Sequence, residues 1–313
     1  MNGWRHAEVV LLLLAAVLLT ATFAHPRVQL ERPTFRYVFV FDITQSMNVQ
    51  DVPAPNSAMT RLEYAKKTAL EALTDMPCGT EIGLALFSGH RAFLLITSIE
   101  MCANYRELST MLGGIDWRMT WEARSEVAKG VFKSIELLRG FEEQTRLVFL
   151  TDGHEAPPIN PEVPPQFAGE RGRVRGLLVG IGGDQLVAIP KFDKTGARQG
   201  YWKAEEVMQV DTFHAERNER EGRPASSPGS EHLSALRETY LQSLAAKTGL
   251  TYLRLVDTAA LSRHLQSTAM AIPKVITTDA RGVGGMGALL ALMAARLRSP
   301  WRRLARHARR TAV

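Results

Sequence analysis

The 313-residue chain holds only two cysteines, Cys78 and Cys102, and 7% aromatics. Neither cysteine belongs to a C-x-x-C pair, which excludes a dithiol redox centre and a cysteine-built zinc module. The histidines His90, His154 and His232 stand apart, without metal-ligand spacing. Gly180, Gly182 and Gly183 follow an apolar run, but the G-x-G-x-x-G spacing of a dinucleotide loop is missing. No spacing supports a Ser-His-Asp arrangement, and Asp152-Gly153-His154-Glu155 offers acid–base groups without a positioned general base. There are no internal repeats. Acids are absent from 296–313, where arginine occurs seven times, at 296, 298, 302, 303, 306, 309 and 310. The formal charge of +6, less those seven, leaves about −1 for the remainder. The body is therefore near neutral and lacks the basic footprint of a nucleic-acid binder.

Long apolar runs are scarce as well. Residues 9–24 form one, after Arg5. It is long for a signal-peptide core and short for a span of about 20 residues. Residues 1–25 are therefore expected to direct export to the periplasm, as a cleaved signal ending near Thr22-Phe23-Ala24 or as a retained inner-membrane anchor. A second stretch, 283–295, is apolar or glycine and precedes the arginines. It is too short to span comfortably. Three readings stand for 281–313: a segment lying in the membrane interface with arginines on anionic headgroups, a second membrane segment, or a solvated tail.

Between these ends, strands and helices alternate. Strands are expected at 35–42, 81–87, 91–97, 146–151, 174–181 and 251–255, and helices at 59–73, 104–112, 126–139, 231–248 and 258–270. Residues 187–211 read as a short β-ribbon around Lys194-Thr195-Gly196, and 214–230 as a flexible polar loop. Ser88-Gly89-His90 joins the strands at 81–87 and 91–97 as an antiparallel hairpin. The fold class is thus α/β: a doubly wound, Rossmann-like, mostly parallel sheet with one antiparallel edge strand, over 34–272. Cys78 precedes the hairpin's first strand and Cys102 follows its second, so both fall at one end of the sheet. A disulfide between them would staple that edge, contributing roughly 3 kcal/mol.

At the other end, Asp42-Ile43-Thr44-Gln45-Ser46 follows the apolar run Tyr37-Val38-Phe39-Val40-Phe41. One carboxylate and two hydroxyls are delivered at alternate positions where open α/β sheets bind ligands. Thr151-Asp152-Gly153 ends a second central strand. Ser125, five residues before Gly130, enters a helix that it can cap while offering an oxygen; Thr120 is a rival hydroxyl in the same loop. Hard oxygens of this kind suit Mg²⁺ first, with Ca²⁺ or Mn²⁺ next.

Together, Asp42-x-Thr44-x-Ser46, Ser125 with Gly130, and Thr151-Asp152-Gly153 resemble the three-loop metal-ion-dependent adhesion site of von Willebrand factor A domains. The resemblance implies Thr44 and Ser46 as direct ligands, Ser125 as a further one, and Asp42 and Asp152 at or just beyond the metal. Thr stands at 44 where Ser is usual, and Ser at 125 where Thr is usual; both keep the hydroxyl. Such a site leaves the cation an open position, which an Asp or Glu of an exported partner fills. Trp117, Arg118, Trp121 and Arg124 are expected to ring it as binding anchors.

A closer resemblance rests on Cys78-Gly79, on Asp116-Trp117-Arg118-Met119, on the run from Thr151 to Pro158, on Ile189-Pro190-Lys191-Phe192-Asp193 and on Glu231-His232-Leu233-Ser234. These resemble the MxaL-type accessory proteins of methanol dehydrogenase gene clusters, with the Bat-type membrane-anchored proteins as broader relatives. The resemblance implies a non-enzymatic assembly factor for a periplasmic quinoprotein dehydrogenase. The rivals are a carrier that hands Ca²⁺ to an apo-enzyme, a general membrane-anchored scaffold, and a metal-assisted hydrolase.

Overall fold

The computed structural model describes residues 2–52, 59–141, 144–193, 195–222 and 229–310. The prolines of the loop after the first core strand, Lys194 of the ribbon turn and residues 223–228 of the expected flexible loop lie outside the described residues. The chain forms two compact units, residues 33–272, and residues 1–32 with 273–313.

The smaller unit opens with α1 (Asn2–Phe23) and β1 (Arg27–Thr34). The larger unit begins with β2 (Arg36–Asp42), α2 (Arg61–Thr74), β3 (Glu81–Ser88), β4 (Arg91–Glu100), α3 (Tyr105–Gly114), α4 (Val127–Leu138) and β5 (Arg146–Thr151). It continues through β6 (Gly176–Gly180), β7 (Val187–Ala188), β8 (Pro190–Phe192), β9 (Arg198–Tyr201), α5 (Thr212–Arg220) and β10 (Leu233–Ser234). It closes with α6 (Glu238–Thr248), β11 (Thr251–Arg254) and α7 (Thr258–Leu265). The chain then returns to the smaller unit as β12 (Ile272–Asp279), paired with β1, and α8 (Arg281–Arg310).

The main sheet runs β11-β6-β5-β2-β3-β4, parallel except for β4. Its inner strands are near-continuous apolar runs because helices cover both faces. Phe39 and Phe41 of β2 face one core with Leu62, Ala65 and Leu73 of α2. Val38 and Val40 face the other, with Val131 and Ile135 of α4 and Leu241 of α6. Thr60 starts α2 with a reciprocal capping box to Glu63. Gly130 lets α4 close on the sheet: a Cβ there would overlap the ring of Phe87, which is itself fully buried against Phe149. From β2 the chain passes to β3 on one side, while β5 lies on the other. The crevice between the C-terminal ends of β2 and β5 is therefore the sheet's switch point, where ligands bind in open α/β sheets.

Cys78 and Cys102 are disulfide-bonded, with Cα atoms 5.4 Å apart. The ribbon forms as β8 and β9, paired antiparallel. Several expectations are corrected. Helix α6 begins at Glu238, not 231, because 231–237 is held in extended form. There β10 pairs with β7, and the Leu236 and Arg237 amides bond Gly183 O and Asp152 O. Part of the expected loop 214–230 is helix α5, capped by Asp211, which accepts from the Phe213 and His214 amides. Helix α7 ends at Leu265, and β12 follows. The glycine-rich start of 281–313 is helical, despite a composition unfavourable to an isolated helix.

Candidate metal centre

Asp42 ends β2, and Asp152 follows the last residue of the neighbouring strand β5, so adjacent strand ends set two carboxylates side by side. Both are completely buried. Asp42 Oδ1 accepts from the Thr44 amide at 2.9 Å and the Thr44 hydroxyl at 2.6 Å, and Oδ2 accepts from the Thr151 hydroxyl at 2.6 Å. Asp152 Oδ1 accepts from the His154 amide at 2.9 Å; Oδ2 accepts from Arg61 Nη1 at 2.5 Å and Ser234 Oγ at 2.9 Å. The nearby Ser46 hydroxyl helps lower the Asp152 pKa.

Two hydroxyls commit their protons to protein acceptors: Thr44 donates to Asp42 at 2.6 Å and Ser125 to His154 O at 2.8 Å, which leaves their oxygen lone pairs for something else. Thr44 Oγ1 and Ser46 Oγ lie 3.5 Å apart. Hard neutral oxygens beside buried carboxylates are the donor set of a hard divalent cation.

Arg61, in the first turn of α2, is fully buried beneath this cluster. Its Nε and Nη2 grip Asp51 at 2.8 and 2.5 Å while Nη1 reaches Asp152 and Ser234. Burial is the largest influence on Asp152 and opposes its ionisation, but Arg61, His154 and the hydrogen bonds together outweigh it and hold the carboxyl below the usual range. Burial, and then the charge of Asp152, push Asp42 up to about 7. Asp51 and Asp152 share one guanidinium, and Asp42 adds a further buried carboxyl beside Asp152. Asp152 would balance the charge of a divalent cation while Arg61 and Ser234 hold its Oδ2. The residues fit the group.

The cluster opens into a cavity of about 270 Å³. Thr44, Ser46 and Ser125 line it, together with Ile189, Trp202 and Met208. Trp202, just after β9, donates its indole N–H to Gln45 Oε1, which ties the ribbon to the metal-site loop. Buried His154 also lines the cavity; its Nδ1 lacks a hydrogen-bond partner among the described residues, and burial lowers its pKa.

Ser125 reaches the cavity but does not cap α4. Its backbone bridges Gly89 and Ala156, and the helix start is served instead by the Glu155 carboxylate, which accepts the Ala128 amide at 2.8 Å. Thr120 is turned to Ser88 Oγ at 2.5 Å and Glu122 O at 3.0 Å. The expected anchors are elsewhere engaged. Trp117 packs on Phe192 with ring centres 5.0 Å apart, and Arg118 pairs with Asp116 at 2.8 Å. Trp121 sits against the exposed Phe93, centres 6.2 Å apart. Of the four residues expected to ring the site, Arg124 lines the cavity. Sequence reasoning missed Arg61, Asp51, Ser234 and Trp202. For Arg61 one signal was present: a cation in a helix's first turn opposes the helix dipole and needs a buried acid to hold it.

The larger unit has the von Willebrand factor A fold. Two solved structures share the fold. One is an aerotolerance-related membrane protein from Bacteroides fragilis, at 18% identity and TM-score 0.50, covering 74% of this chain and 96% of that one. The other is BatB from Bacteroides thetaiotaomicron, at 17% identity and TM-score 0.50, covering 75% and 98%. No protein-family model matches the chain. Among curated proteins, it is 30% identical over 165 residues to a UPF0353 protein of Mycobacterium leprae (strain TN) and 26% identical over 174 residues to one of Mycobacterium sp. (strain KMS). These alignments cover 51% and 52% of this chain, which spans about half the length of the curated relatives it matches.

Proposed function

We propose that the chain is a non-enzymatic, membrane-associated docking protein whose grip on its partner is gated by a divalent cation, Mg²⁺ foremost, with Ca²⁺ or Mn²⁺ as substitutes. The observation that carries this reading is the set of three hydroxyls, Thr44, Ser46 and Ser125, on one cavity beside two buried carboxylates, with the Thr44 and Ser125 protons committed to protein acceptors. A bound cation supplies one open coordination position for an Asp or Glu of the partner. Thr44, Ser46 and Ser125 hold the ion, Asp42 and Asp152 balance it, and Arg61 fixes Asp152. Ile189, Trp202 and Met208 in the cavity lining would take an apolar side chain next to the partner's acidic one. The aerotolerance-related neighbour is described as a membrane protein, and His6–Phe23 is long and apolar enough to cross a membrane, which supports membrane association.

The finer reading places the protein in the periplasm, assisting assembly or calcium loading of a pyrroloquinoline-quinone-dependent methanol or alcohol dehydrogenase. It rests on the MxaL-like stretches. The test is capture of partners on tagged protein from native membranes, in Mg²⁺ plus Ca²⁺ or in EDTA, beside Asp42→Ala and Ser46→Ala. A dehydrogenase lost in EDTA and in both variants is the expected result. A partner retained in all of them removes the metal from the docking surface. Ca²⁺ bound tightly and released on docking would favour the carrier.

A further inference from the structure

The smaller unit holds a second apolar helix whose packing bears on the fate of the first. α1 and α8 run antiparallel: Gly287 lies against Leu18, and Gly284 against Thr22, so that Cβ atoms at the glycines would sit 3.2 and 3.0 Å from those side chains. Ala15, Ala288 and Ala291 are buried between the helices, with Leu18 packed on them. Small residues at this spacing let two backbones approach closely, the usual mode of helix pairing in lipid.

The outward faces are apolar all round. On α8, Val283, Met286, Leu289, Leu290, Leu292 and Met293 are exposed, Val283 at 77%. The exposed face of α1 is made of Val9, Val10, Leu13, Val17 and neighbours. A helix lying in the membrane interface carries one polar face. Over 282–295 no charged or polar residue occurs, and the face without large side chains is the one against α1. That stretch is about 21 Å long at 1.5 Å per residue. The shortfall against a hydrocarbon core of about 30 Å is met by tilt-free thinning and arginine snorkelling. The antiparallel register puts Glu8 at the same end as Arg296 rather than mid-span, together with Arg5 and the later arginines.

The geometry points to a two-span helical hairpin in which α1 is retained in the mature protein as the partner of α8. Its arginine-rich end lies at the cytoplasmic side, by the excess of basic residues there. The β1–β12 pair and the α/β unit then follow on the exported side. A cleaved signal would leave Gly284 and Gly287 of α8 facing lipid.

Three readouts on the full chain in a bacterial inner membrane test this. The intact mass should include residues 2–24. A green fluorescent protein fused after Val313 should fluoresce, whereas alkaline phosphatase fused there should be inactive. Oxidation should cross-link Ala15→Cys to Ala288→Cys within one chain, and leave the outward pair Leu13→Cys and Met286→Cys unlinked. These alanine replacements are small enough to keep the fold. A mature protein starting after Ala24, an active phosphatase fusion, or equal cross-linking of both pairs would each overturn the hairpin.

Discussion

Arg61 shows how a single buried charge organises the site. It has no exposed side-chain surface and holds two acids at once, Asp51 and Asp152. Removing one member of a buried ion pair leaves the others uncompensated, at a cost of roughly 3–5 kcal/mol. Arg61→Met is therefore expected to lower the urea midpoint sharply. Arg61→Lys is expected to rescue it only in part, since an ammonium cannot fork between two carboxylates. Glu155 gives a pH signature. Burial pushes its carboxyl from 4.5 up to about 7, although Tyr240 and the Ala128 amide stabilise the charge. A carboxyl raised in the folded state contributes stability that is full below the unfolded pKa and is lost as pH rises through about 7. That interval corresponds to about 3 kcal/mol. Between pH 4.5 and 7, stability should fall more steeply in the wild type than in Glu155→Gln, measured as the difference between their melting curves.

At the scale of elements, the close approach of α4 to the sheet depends on Gly130. Gly130→Ala should destabilise by about 1–3 kcal/mol, read from denaturant unfolding, because Phe87 has no space to retreat from an added methyl. The β8–β9 ribbon is joined to the metal-site loop by the Trp202–Gln45 hydrogen bond. Trp202→Ala should weaken partner capture while leaving cation binding in place, a separation that titration calorimetry with the metal alone resolves. Much of this level was legible beforehand. The apolar run before Asp42, the hairpin at Ser88-Gly89-His90 and the α4 periodicity are local signals, and they placed strands and helices within a few residues. The start of α6 was not legible. Helical propensity runs through 231–237, but the segment's amides are taken by Gly183 O and Asp152 O, partners distant in sequence. Helix α5 was hidden by a polar composition, although its Asp211 cap was in plain sight.

On the scale of the whole molecule, the Cys78–Cys102 disulfide closes the β3–β4 edge of the sheet. Replacing Cys78 and Cys102 by serine should cost about 2–4 kcal/mol in reversible unfolding, with cation binding unchanged. The pair precedes β3 and follows β4, whereas the site lies beyond the C-terminal ends of β2 and β5. The sequence alone determined the α/β class, the order of its elements and the carboxylate and hydroxyls at the strand ends, because strand and helix periods and loop chemistry are written locally. Only the tertiary structure decided which groups meet there. It brought Arg61 beneath Asp152, set Trp202 and Thr44 on one cavity, and turned Thr120, Trp117 and Arg118 to other partners. Those choices depend on contacts between segments far apart in the chain, where burial and charge compensation select the partner and no local spacing records it.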